Sequence, residues 1–206
     1  MIADFFLRNP WLVTLCWAGV YISDYALTLY AARFLRGPLR EHIVIQDSYE
    51  LTPAFQKDIN ALRVFSPAFL IRLALTVVIV LIIGLLAWSV DFPQVFAFAA
   101  GGLFLLEVPV HLRHLRNIAL LRFSANGEGL TGRIDYARWL TLKLSAAELA
   151  SFAALYLVLS ILMGSWAFAG GALFCARTGL AHWSHSKKAA RQAQPASVIS
   201  GGPEKG

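Results

Sequence analysis

The chain contains 206 residues, of which 58% are hydrophobic and 15% are charged, and its formal net charge is +6. Soluble domains are usually about 45–50% apolar and about 25% charged, so this composition excludes an ordinary cytoplasmic enzyme or nucleic-acid-binding domain. The apolar excess instead indicates an integral membrane protein. In such a protein Lys and Arg accumulate in cytoplasmic loops and report orientation, so we predict no nucleic-acid partner.

Five apolar segments have the length of a membrane span, which takes about 20 residues as a helix. They are residues 11–32, 68–90, 94–112, 144–163 and 166–183. The last two belong to one run without basic side chains, residues 144–176, which is too long for a single span without a large tilt. Because the sequence LMGSW at 162–166 offers a turn, we predict five spans, with four as the alternative.

The expected fold is an all-α, polytopic transmembrane helix bundle over residues 1–185, followed by a disordered cytoplasmic tail at 186–206. Basic residues crowd the two long loops and the tail, and the link between the second and third spans has none. The N-terminus should therefore lie outside and the C-terminus in the cytoplasm of a bacterial inner (plasma) membrane. Four spans would place the basic tail outside. The basic loops also favour contact with anionic lipids of the bilayer.

The first long loop contains an amphipathic segment at residues 53–65. Phe55, Ile59, Leu62 and Phe65 recur there at helical spacing, and polar residues fill the other face. This pattern predicts a short helix lying on the cytoplasmic surface of the membrane.

Charged side chains inside membrane spans are costly and usually face the interior of the bundle. Three carboxylates and two arginines fall in the cytoplasmic half of their predicted spans. Together they predict a vestibule, open to the cytoplasm, that binds a proton or a cation. The residues assigned to it are Asp24, Thr28, Arg72, Glu107, Glu148 and Arg177.

A purely structural role is the alternative for these charges. Glu107 would then pair with Arg72, and Glu148 with Arg177, and the two pairs would lock the bundle without binding a ligand.

Histidines near the carboxylates raise a metal hypothesis, because imidazole and carboxylate ligands together suit Zn, Fe or Mn. The candidate ligands are Glu107, His111 and His114, which share a helical face, and His182 and His185 at the end of the last span. There is no HExxH motif, and Pro109 should bend the helix between Glu107 and His111. We therefore predict no cofactor, with a divalent metal as the alternative.

The run YISDYALTLYAAR at 21–33, followed by DSYELTP at 47–53, resembles small multipass membrane proteins of unknown function in bacteria and archaea. Those proteins carry Asp-x-x-x-Thr in the first span and then a Glu-Leu-Asn-Pro-like turn. The corresponding residues here are Asp24, Thr28, Glu50, Leu51 and Pro53. Thr52 stands where the pattern has Asn. The resemblance is confined to the first span and first loop, and it implies a role for Asp24 and Glu50 but no known activity.

Three classes of function compete. The first is a small transporter or channel-like protein with an acidic vestibule. The second is a non-catalytic subunit or scaffold that holds a membrane protein partner, a second copy of the chain or anionic lipid. The third is a membrane enzyme with a metal centre, and an enzyme is the less expected outcome.

Overall fold

A computed structural model describes residues 8–37, 39, 42–46, 48–125 and 132–193. Six helices and two strands lie within these residues. In chain order they are α1 (Pro10–Arg36), β1 (Ile43–Ile45), α2 (Gln56–Asn60), α3 (Pro67–Ser89), α4 (Pro93–Ala125), β2 (Ile134–Tyr136), α5 (Arg138–Met163) and α6 (Trp166–Ala193).

Four of the helices, α1, α3, α4 and α5, are long and apolar enough to cross a membrane. The predicted helical bundle is thereby confirmed, with four candidate membrane-spanning helices by length and composition. Helix α6 has 28 residues but fewer large apolar side chains, because it begins WAFAGGALFCA and continues into a polar half that contains KKAAR. A fifth span therefore stays a prediction.

The outer faces of α3 and α5 carry large apolar side chains. On α3 the exposed ones are Leu70, Ile71, Leu75, Val78, Ile79, Ile82, Leu85, Leu86 and Trp88. On α5 they include Leu155, Leu157, Val158, Ile161 and Leu162. An apolar face of this extent is unusual on a soluble monomer, whereas it suits contact with lipid.

A tight turn separates α5 from α6. Gly164 ends α5 with a left-handed φ of 61°, and α6 begins two residues later at Trp166. Helix α6 then returns along α5, and at the far end Ser186 Oγ donates to the carbonyl oxygen of Trp139 at 2.7 Å. The predicted division of the long apolar run within 162–166 is confirmed.

Helices α4 and α6 run parallel and approach closely. A Cβ placed on Gly101 would overlap the backbone of Ala167, and a Cβ on Gly170 would overlap the carbonyl group of Phe98. Membrane helices that approach this closely need small residues at the contact. The glycine- and alanine-rich start of α6 therefore has a packing role.

Successive long helices alternate in direction, so the bundle has two distinct ends. The loop end contains the end of α1, the start of α3, the end of α4, the start of α5 and the end of α6. The link end contains the short connections at 90–92 and 164–165. A buried apolar cluster fills the link end; its members are Val13, Trp17, Val80, Ala87, Phe96 and Ala100.

A two-stranded parallel sheet crosses the loop end, and the sequence analysis predicted no strand. Ile43 lies opposite Ile134, and Ile45 lies opposite Tyr136. The backbone N–H of Ile134 also donates to the carbonyl oxygen of His42 at 2.8 Å. The sheet thus joins the two long loops.

The helix of the first loop differs from the prediction. It covers Gln56–Asn60 rather than 53–65, because Leu62 adopts a left-handed φ of 52° that ends the helical path. Phe55 and Ile59 are buried against α1 and α3, whereas Phe65, beyond the end of α2, is 81% exposed. Part of the predicted apolar face therefore packs on the bundle, and contact of this segment with a membrane surface stays a prediction.

The first part of the predicted disordered tail is helical. Residues 186–193 continue α6, because Ser186 is buried against α5 and the sequence KKAAR consists of good helix formers. The remainder of the predicted tail, residues 194–206, lies outside the described residues.

The close contact between α4 and α6 gives a stability prediction. Gly170→Ala should lower the free energy of unfolding by about 1–3 kcal/mol, because its new Cβ must displace the Phe98 carbonyl group. Gly19→Ala is the matched control, since nothing lies within 4 Å of the added Cβ. Thermal unfolding in one detergent checks both variants, and equal midpoints would contradict the contact.

Candidate functional site

A cavity of about 640 Å³ lies at the loop end, bounded by the five long helices, both strands and residues of the first loop. Small-molecule sites usually measure about 300–1,000 Å³. The charged lining consists of Asp24, Glu50, Arg72, Glu107, Arg113, Arg116 and Glu148, with the imidazoles of His114 and His182 among them. Carboxylates and basic groups therefore share one chamber.

Two of the carboxylates lie at the same depth. Asp24 is 14 residues after Pro10, the first residue of α1, and Glu107 is 14 residues after Pro93, the first residue of α4. At 1.5 Å per residue, both positions are about 21 Å from the start of their helices at the link end. The buried apolar cluster lies closer to the link end than these two carboxylates do.

Asp24 belongs to a polar group that joins α1, α4 and the first loop. Its Oδ1 lies 3.1 Å from Nε2 of His114, and Oγ1 of Thr28 lies 3.3 Å from the same nitrogen. The other ring nitrogen of His114, Nδ1, is 3.1 Å from the hydroxyl oxygen of Tyr49. Asn117 Nδ2 donates to that hydroxyl at 3.3 Å. The first loop is therefore anchored to the wall of the cavity.

Glu107 has a histidine neighbour. Nδ1 of His111 lies 3.5 Å from Oε2 of Glu107 and 2.9 Å from its backbone oxygen, and Nε2 lies 2.8 Å from Oγ of Ser23. The guanidinium carbon of Arg72, the expected partner of Glu107, is instead 5.5 Å from the centre of the Phe55 ring. Glu107 is only 7% exposed. Its carboxylate therefore lies mainly next to side chains of α1 and α4.

Arg113 organises the opposite side of the cavity. Its Nη1 is 3.5 Å from Oε2 of Glu148, and Nη1 of Arg116 is 3.8 Å from Oε1 of the same carboxylate. Nη1 of Arg113 also donates to Ser145 Oγ at 2.6 Å, and that oxygen is 2.9 Å from Nδ1 of His182. These contacts connect α4, α5 and α6.

Arg113 is a site residue that the sequence does not predict, because the third apolar segment ends at residue 112. Helix α4 continues to Ala125, so Arg113 is a helical residue that faces the bundle. In the sequence, the indication is that Arg113 follows Glu107 by six residues. Both can therefore belong to one helix that continues toward the loop end.

Glu50 lies in a tight turn of the first loop. Its backbone N–H donates to Ser48 Oγ at 3.1 Å, and its Oε1 accepts from the Thr52 N–H at 2.6 Å. Burial raises the pKa of Glu50; the hydrogen bond from Thr52 opposes this shift, and the charge of Asp24 adds to it. The neutral form of Glu50 is therefore favoured relative to an exposed glutamate.

Most of the predicted site residues meet in the cavity. Those that line it are Asp24, Glu50, Arg72, Glu107 and Glu148. Thr28 lies just behind, in contact with His114. Arg177 does not belong to the set: it is exposed on α6, while Thr178 and His182 face the cavity. Consecutive residues of a helix point about 100° apart, which turns Arg177 outward.

The structure does not bring the five candidate metal ligands together. His111 contacts Ser23, whereas His114 contacts Asp24. His182 bonds to Ser145, and His185 is exposed. Across the described ranges, no three His, Cys, Asp or Glu side chains form a group that could hold a metal ion.

No family model, curated protein or solved structure matches this chain.

The raised pKa of Glu50 gives a pH-dependence prediction. In the folded protein the ionised carboxylate is disfavoured, so it opposes folding above the raised pKa, and this penalty disappears as pH falls below the unfolded value of about 4.3. Glu50→Gln keeps the oxygen that accepts from Thr52. It should therefore raise the unfolding midpoint at neutral pH, by an amount that shrinks toward acid.

The check is to measure the unfolding midpoints of the wild type and of Glu50→Gln from about pH 4 to about pH 8 and to compare them at each pH. A midpoint difference that stays constant or grows toward acid would contradict the assignment.

Proposed function

We propose that this chain is a small multi-pass membrane protein of transporter or channel type that takes up a proton or small cation into the loop-end cavity. One observation carries the proposal. Oδ1 of Asp24 and Oε2 of Glu107 are buried, and within the described residues the nearest basic group to each is an imidazole, His114 at 3.1 Å and His111 at 3.5 Å. Because neither carboxylate has a permanently charged partner and burying a carboxylate costs free energy, binding of a proton or cation beside them is favourable.

The charge distribution of the cavity supports a positive rather than a negative cargo. On the side of α5, Glu148 is balanced by Arg113 and Arg116. On the other side, three carboxyl groups, those of Asp24, Glu50 and Glu107, share the lining with one guanidinium, that of Arg72. Asp24 and Glu107 alone outnumber this guanidinium, so acidic groups remain in surplus over permanently charged basic groups even when Glu50 is neutral.

We assign the loop end to the cytoplasm of a bacterial inner membrane, and α6 to a fifth span. The 28 residues of α6 correspond to about 42 Å of helix, enough to cross the hydrocarbon core. Basic residues are concentrated at the loop end, whereas the connections at 90–92 and 164–165 contain Asp91 and no basic residue. Such a distribution favours a cytoplasmic loop end.

Transport is tested with purified protein in liposomes under a proton gradient and under separate Na⁺ and K⁺ gradients. The wild type should give a flux for at least one of these ions, and Asp24→Asn should reduce it to the level of empty liposomes. Asp135→Asn, at an exposed carboxylate of β2 paired with Arg133, is the matched control and should retain the flux.

Wild-type liposomes that carry no flux under any of the gradients would contradict the proposal. A partner protein that co-purifies in fixed proportion with such an inactive chain would instead favour a non-catalytic subunit.

The five-span topology is tested with a reporter fused to the C-terminus. With an odd number of spans, the C-terminus lies on the side of the membrane opposite the N-terminus, which is the cytoplasm in the proposed orientation. A reporter that is active only in the cytoplasm should therefore be active when it is fused there. Activity of a reporter that functions only outside the cell would contradict α6 as a span.

A further inference from the structure

We propose a binding site for an anionic phospholipid on the outer face of α5 and α6 at the loop end. The site comprises Lys143, Arg177, Leu180, Trp183 and Lys187. It is separate from the cavity and goes beyond the proposed cation uptake. Its ligand is a glycerophospholipid with a net negative headgroup.

The basic part of the site surrounds one aromatic ring. Nζ of Lys187 lies 5.4 Å, and Nζ of Lys143 5.8 Å, from the centre of the Trp183 ring, which is 42% exposed. Within the part of the chain that the structure describes, neither ammonium group has a carboxylate within 4.0 Å. Two like charges at one ring, without a protein counter-charge, favour an anion from outside.

The order of residues along α6 matches the order of groups in a phospholipid. Leu180, Trp183 and Lys187 follow one another at spacings of three and four residues, so they form one stripe that runs toward the loop end. Leu180 is 69% exposed and suits acyl chains. Tryptophan is typical of the membrane interface, and lysine lies at the level of phosphates.

Arg177 completes the stripe one turn deeper. It is exposed on α6, and no carboxylate lies within 4.0 Å of its guanidinium among the described residues. A long basic side chain at this depth extends along the apolar surface to bring its charge to the interface. This extension directs the guanidinium toward the headgroup held by Lys187, and it gives a role to a residue that the cavity does not use.

The two helices that carry the site are held in register. Ser186 bonds to the Trp139 backbone, and Ser145 bonds to His182. Gly179 allows α6 to approach the backbone of Ala146 on α5. Lys143 and Lys187 are therefore presented together before a lipid arrives, which lowers the ordering cost of binding.

The test measures binding of a fluorescent phosphatidylglycerol to the full chain in neutral detergent, with phosphatidylcholine as the competing neutral lipid. Each basic side chain near an anionic surface contributes about fivefold to binding. The double variant Lys143→Gln/Lys187→Gln should therefore bind about thirtyfold more weakly. The control Arg36→Gln/Lys57→Gln removes two exposed cations elsewhere at the loop end and should bind like the wild type.

Two outcomes would overturn the site. If both double variants bound the fluorescent lipid equally weakly, general charge attraction and not a specific site would explain the binding. Displacement of the fluorescent lipid by inorganic phosphate or glycerophosphate at low concentration would show that a free phosphate is the ligand. Cation flux in liposomes is measured on the same variants and should persist, so loss of lipid binding and failure of the proposed transport are read separately.

Discussion

The close approach of α4 to α6 is the contact on which the rest of the molecule depends. Because Gly101 and Gly170 have no side chains, the two parallel helices meet backbone to backbone near the link end. Helix α4 also packs against α1 and α3, so it is the wall shared by both sides of the bundle. With the link end closed by small and apolar residues, polar groups have room only at the loop end, where the cavity forms.

Within that cavity, three of the acidic groups, Asp24, Glu107 and Glu148, have two kinds of basic neighbour. Glu148 has two guanidinium groups that compensate its charge, whereas Asp24 and Glu107 have imidazoles, whose charge depends on protonation. The ion pairs of Glu148 serve mainly to connect α4, α5 and α6. Asp24 and Glu107 have imidazoles instead of guanidinium groups as neighbours, and this difference is why the proposed uptake is assigned to them.

The apolar runs are sufficient to predict that five long helices form, although not how far α4 extends, and counting residues from their ends places Asp24 and Glu107 in one half of the bundle. The sequence could not predict which way each helix is turned about its axis. Arg177 was therefore assigned to the cavity, and Arg113, which lies just beyond the predicted end of its span, was left out. The strands were also missed, because a three-residue strand is stabilised by a partner far away in the chain and has no periodic signal of its own. Whether the cavity binds a cation stays a prediction.

The small parallel sheet has a mechanical consequence. Ile43–Ile45 follows α1, and Ile134–Tyr136 precedes α5, so their pairing is a cross-brace between two helices that do not neighbour each other in sequence. A movement that separates the end of α1 from the start of α5 must therefore break this pairing or be absorbed by the short connections to the strands. The pairing couples the positions of these two helix ends at the mouth of the cavity.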